Sequence, residues 1–152
     1  MTHLGQAIRK AHDLELELAG ELAAVAERHA ADPDVFHLCG MFGGLARDQA
    51  TRLGALADQY GSPATDGTRS TAGETACDAR EAGLRLLSDL THLYVLTQEC
   101  WIGLTALRQA ALAKRDQELV ETVSACLDET AAQAKWLKTR VKTTAPQALT
   151  VD

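Results

Sequence analysis

Through four long stretches of this chain the apolar residues recur at intervals of three and four, and nowhere do they alternate with polar ones as a half-buried strand requires. The first row runs Leu4, Ile8, Ala11, Leu18, Leu22 and Val25. The second runs Leu38, Phe42, Leu45, Leu53 and Leu56, and the last runs Leu119, Val123, Cys126, Thr130, Gln133 or Ala134, Leu137 and Val141. Between them, Ala76 to Ala113 contains no proline, and only Gly83 and Gly103 interrupt good helix formers, so this segment permits one long helix, with Gly83 the place for a break if there is one. Residues spaced this way share one face of a helix, which has to be buried against other helices. Four such faces predict an all-α fold, a four-helix bundle.

The breaks between rows set the boundaries. Asp32 can cap a helix that Pro33 begins, since a first-turn residue loses nothing by lacking an N–H. Lys114 and Arg115 suit a helix C-terminus, Asp116 can cap the next helix, and Pro146 is expected to stop it. The segment GSPATDGTRSTAG, Gly61 to Gly73, has no apolar period and ends where Thr71 and Glu74 can form a capping box. The expected helices are therefore about 3–31, 33–60, 72–115 and 117–143, within one domain spanning 1–152. Thirteen extended residues reach roughly 43 Å, and a helix of about 28 residues is roughly 42 Å long. The loop can therefore run the length of the bundle, and a crossover that leaves the second and third helices parallel is expected.

A chain of 152 residues, 46% of them hydrophobic, suffices for one core and is short for two. Its formal charge of −6 gives no field for a non-specific grip on nucleic acid or an anionic membrane. The basic run Lys135, Lys138, Arg140 and Lys142 reads as the cationic end of a helix. No apolar run approaches the roughly 20 residues of a membrane span, and no N-terminal stretch has the pattern of a signal. A cytoplasmic protein is expected. Cys39, Cys77, Cys100 and Cys126 are widely spaced, with no CxxC pair, and are expected to act as small buried hydrophobes.

A polar residue interrupts each of the first two rows, Glu15 in the first and Gln49 in the second. Taken with the stretches HDLELELAGELAAVAERHA, LARDQATRLGAL, HLYVLTQEC and LDETAAQAKWL, the chain resembles the ferritin-like superfamily, and within it the small rubrerythrin-like bundles. That resemblance implies two metal ions held by a Glu from the first and third helices and an E-x-x-H motif from the second and fourth. Spacing of i, i+3 puts such a Glu and His on one helical face, and carboxylate and imidazole suit iron or manganese. Position by position, the chain offers Glu15, Gln49 with Arg52, Glu99, and Glu129 with Ala132. Both histidines and one carboxylate are missing. Arg52 cannot ligate a metal and is expected to pair with Glu129 or Glu99.

A relocated site is conceivable from His92 with Glu99 and His12 with Glu15, although boundary histidines bonded to neighbours or water are the plainer reading. The metal candidates are then Glu15, Glu99, Glu129 and His92, and no normal di-iron centre is expected. No cofactor is expected; a transition metal such as iron is the one to look for. His37 and Cys39, two apart, point away from each other on a helix. No nucleophile with its base and no phosphate loop is recognisable, since Gly40, Gly43 and Gly44 lie inside a helix.

Three functions follow from these residues. The first is a ferritin-like bundle that has lost its di-metal chemistry and serves as a non-catalytic binding or structural module. The second is a metal-binding oxidase or storage protein with a reduced carboxylate site. The third is a small-molecule carrier using a cavity near Gly43, Gly44 and Trp101. Leucines outside the main rows, Leu14, Leu16, Leu86, Leu93 and Leu107, call for cover and predict a homo-dimer or larger assembly.

Overall fold

The computed structural model of the protein describes residues 2–62, 64 and 81–150. Four helices account for nearly all of them: α1 (His3–Arg28), α2 (Pro33–Gln59), α3 (Ala82–Lys114) and α4 (Gln117–Thr150), with no strand among the described residues. Within those residues, no helix is long and apolar enough to cross a membrane.

Local chemistry fixes the ends as expected at two of the caps. The Asp32 side chain accepts from the Val35 backbone N–H at 3.2 Å with Pro33 in the first turn, and Asp116 accepts from Leu119 at 3.1 Å. Arg115, at φ 56° and ψ 34°, takes the left-handed conformation that ends α3, where glycine is the usual choice. The capping box at Thr71 and Glu74, the start expected for the third helix near residue 72, and Cys77 all lie outside the described residues.

Pro146 does not stop α4, which continues through it to Thr150. A proline inside a helix removes a hydrogen bond and crowds the preceding turn. Here the extra turns lie beside α3: Thr144 is buried, and a Cβ placed on Gly83, in the first turn of α3, would lie 3.7 Å from the Ala148 Cβ. Packing outweighs the local penalty.

Side-chain pairs set the directions of the helices. At one end of the bundle, Arg9 of α1 holds Asp58 of α2 at 2.7 Å and the Ser62 carbonyl at 2.8 Å, while the Tyr60 hydroxyl donates to Asp116 at the start of α4. At the other end, Arg28 and His29 hold Asp89 of α3 at 3.2 and 2.7 Å, and Arg140 of α4 donates to Asp32. Both α2 and α3 therefore run against α1, and α4 runs against both. The first approach is close enough to exclude a side chain: a Cβ on Gly5 would lie 2.7 Å from the Tyr60 carbonyl oxygen, which is backbone and cannot swing aside.

Two apolar clusters fill the interior. One, toward the α1–α2 turn, gathers Leu18, Leu22, Val25, Val35, Leu90, Leu93 and Leu137; the other, toward the α3–α4 turn, gathers Ile8, Leu53, Leu56, Leu104, Leu119 and Val123. Of the leucines expected to need outside cover, Leu14, Leu86, Leu93 and Leu107 belong to these cores, and only Leu16 is exposed. The apolar face of α3 spans more of the helix than one row, so residues beside the row are buried too.

Candidate functional site

Between the two apolar clusters every helix contributes buried polar side chains. Glu15 on α1, Gln49 on α2, Thr97 on α3, and Thr130 and Gln133 on α4 are all sealed from solvent, with Glu15 and Gln49 at 0% exposure. The threonines turn their hydroxyls back onto their own helices, Thr97 to the Leu93 carbonyl and Thr130 to the Cys126 carbonyl, each at 2.7 Å. Such back-bonding satisfies them without help from another helix.

The other three are not satisfied. Both carboxyl oxygens of Glu15, Oε1 of Gln49, and both amide atoms of Gln133 are buried without a hydrogen-bond partner. A buried polar atom left without a partner costs about 1–3 kcal/mol for a neutral group. Burial first, and then the negative charge of Glu129, push the Glu15 carboxyl from 4.5 up to about 8. Near neutral pH it is a neutral acid, able to donate one hydrogen bond.

Glu129 stands apart from this layer in one respect: the chain itself engages both of its oxygens. Gln49 donates from Nε2 to Oε2, and a guanidinium nitrogen of Arg52 lies 3.7 Å from Oε1. Pairing of Arg52 with Glu129, one of the two partners expected for it, is therefore present.

The remaining metal candidates are not drawn into the same place. His92 is exposed and sits with Nε2 at 3.8 Å from Glu21, while His12 packs beside Gly54 with Nδ1 at 2.9 Å from Asp13. Glu99 is half-buried, and the residues of α3 that are sealed inside at that level are Thr97 and Cys100. Ala132 is exposed: the buried face of α4 carries Cys126, Thr130, Gln133 and Leu137 instead. Successive residues turn by about 100°, so a motif placed on 129 and 132 runs along the edge of α4, and the inward polar pair is Thr130 with Gln133. Among the described residues no three His, Cys, Asp or Glu side chains are grouped so as to hold a metal ion. The described residues do not by themselves form a di-metal centre.

The described cysteines are protonated thiols in this environment. Burial, and after it the charge of Glu15, raises the Cys100 and Cys126 thiols, the latter to about 12, and burial likewise raises Cys39 to about 12. All three are free and buried, in the manner of small hydrophobes. The three residues expected near a cavity, Gly43, Gly44 and Trp101, differ in burial. A Cβ on Gly43 would touch Ala19 and Leu22 of α1 at 3.5 Å, whereas Gly44 and Trp101 are exposed. Gly43 serves close helix approach, and the second tryptophan, Trp136, packs against Phe42 with ring centroids 5.8 Å apart.

No model of a known protein family matches the chain, and none of the curated proteins searched matches it.

Proposed function

We propose that the protein is a ferritin-like bundle in which the place of the di-metal site has become a metal-free polar layer, and that it acts as a non-catalytic binding or structural module. Support for the topology comes from α2 and α3 both running against α1: Ser62 lies at one end of the bundle, by Arg9, and α3 begins at the other, by Arg28. Parallel second and third helices are the arrangement that the resemblance to that superfamily implies. The observation that carries the functional reading is Glu129, whose two oxygens are taken by Gln49 and Arg52, residues standing where a Glu and a His would be ligands. A cation entering there would have to displace a fixed positive charge. Anaerobic reconstitution with ferrous iron, followed by oxygen, is expected to leave no stoichiometric iron on the chain and no absorbance of an oxo-bridged product. Two tightly bound irons per chain, lost in Glu15→Ala, would favour the oxidase or storage reading instead.

A second reading, a small-molecule carrier, draws on the five unpaired atoms of Glu15, Gln49 and Gln133. They would suit a small, uncharged molecule with both donors and acceptors, such as an amide or a polyol. Trp136 is one turn from Gln133 on α4, so titration with acetamide, urea and glycerol is expected to shift its emission, and to do so less in Gln133→Leu. Emission unchanged across all three in the millimolar range would set the carrier aside.

A further inference from the structure

The outward side of α3 is unlike the surface of the other helices. From Ala82 to Ala113 none of its exposed residues is Asp, Glu, Lys or Arg, although such residues make up 24% of the chain. The charges that α3 does carry there, Arg85, Asp89, Glu99 and Arg108, are buried or half-buried. Meanwhile Val95 is 61% exposed, Ile102 58%, Leu84 49% and Leu112 44%. The outer side of the helix is thus free of Asp, Glu, Lys and Arg and presents four large apolar residues among uncharged polar ones, a surface that favours cover.

The order of residues along this side identifies the cover. Stepping by four and three from Leu84 gives a regular line to Leu112 with Gln98 at its middle, and the line reads nearly the same from either end. Pairing two copies of α3 antiparallel about Gln98 sets Leu84 against Leu112, Ser88 against Gln109, Thr91 against Thr105 and Val95 against Ile102. Apolar residues meet apolar, polar meet polar, and Gln98 meets its own copy, where two amides can exchange hydrogen bonds. Alternating steps of four and three are those of a two-helix seam. Since each copy carries a net charge of −6, a face without charges is where two copies can approach with least repulsion. The 29 residues of the line span about 42 Å, and at a helix width of about 12 Å they cover about 500 Å² per copy. The total, about 1,000 Å², reaches the lower bound of a specific interface.

We propose that two copies of this chain associate through the outward face of α3, antiparallel about Gln98, as a reversible dimer. The inference is independent of what the mid-bundle layer binds. Sedimentation equilibrium of the full chain is expected to give twice the 16.3 kDa chain mass at high micromolar concentration. Val95→Glu with Ile102→Glu is expected to return it to the single-chain mass at unchanged helical content, while Leu16→Glu on α1 leaves the dimer intact. Orientation is read separately with a nitroxide label at Lys114→Cys in a Cys77→Ser background. Two labels in the antiparallel pair lie about 48 Å apart along the axis, whereas a parallel pair brings them together. A wild-type chain that stays single at these concentrations overturns the proposal and leaves the face to a different partner. A dimer untouched by the double substitution, or labels at short separation, overturns it equally.

Discussion

Replacing Glu15 with glutamine is expected to stabilise the protein near pH 8 and to change it little near pH 5. The Glu15 carboxyl titrates near 4.5 when the chain is unfolded and near 8 inside the bundle, so the folded state holds its proton more tightly than the unfolded state does. Below about 4.5 both states are protonated and nothing is lost. Between about 4.5 and 8 the unfolded chain gives up a proton that the folded chain retains, and stability falls as pH rises; above about 8 the deficit is constant. Glutamine keeps the shape and cannot ionise. The gain at the alkaline end is on the order of 5 kcal/mol, given the rise from 4.5 to about 8 at about 1.4 kcal/mol per unit. Urea unfolding at fixed chain concentration, at both pH values, measures it. Equal effects at the two, or a Glu15→Gln variant less stable at pH 8, would show that the carboxyl finds a partner or water in the core.

Asp89→Asn is expected to act in the opposite direction, destabilising the protein by about 2–3 kcal/mol at neutral pH. Asp89 is 8% exposed and receives Arg28 through two bonds of 3.2 Å, His29 at 2.7 Å and Arg85 at 3.3 Å. Burial alone would raise its carboxyl, but the Arg28 and His29 hydrogen bonds and the arginine charges overcome that and hold it below 3.8. Its contribution is therefore complete above 3.8 and is lost as pH falls through the lower folded value. Thermal unfolding should show the wild type losing its advantage over Asp89→Asn only in strong acid. An unchanged midpoint in the variant at neutral pH would mean that this end of α1 and α3 is held by apolar packing alone.

Much of this architecture can be read in the sequence because it depends on local rules. The rows led by Leu4 and Leu38, the caps at Asp32 and Asp116, and the polar breaks at Glu15 and Gln49 each follow from spacing or from one side chain and its backbone. Features that depend on how helices rest on one another are harder to see. Pro146 reads as a stop until α3 supplies a surface for the turns beyond it. Leu86, Leu93 and Leu107 read as surplus because the width of the buried face of α3 is set by its neighbours. The placement on Glu129 and Ala132 fails for a related reason: a motif shows which residues share a face, not which face turns inward, and here Gln133 is the inward residue. The clearest signal missed was an absence. The charge-free line from Leu84 to Leu112 is present in the sequence, but its place on the outside of α3 depends on which face its neighbours bury.

The layer of Glu15, Gln49 and Gln133 also governs how the helices can slide. A purely apolar interior would let one helix shift by a turn, about 5.4 Å, and repack leucine against leucine at little loss. With the layer in place, the same shift carries Glu15 in among Leu18 and Leu22's partners, parts Gln49 from Glu129, and brings leucines up against the glutamines left behind. The layer weakens the bundle in its native alignment and weakens every displaced alignment more. It therefore acts as a key that fits at one setting.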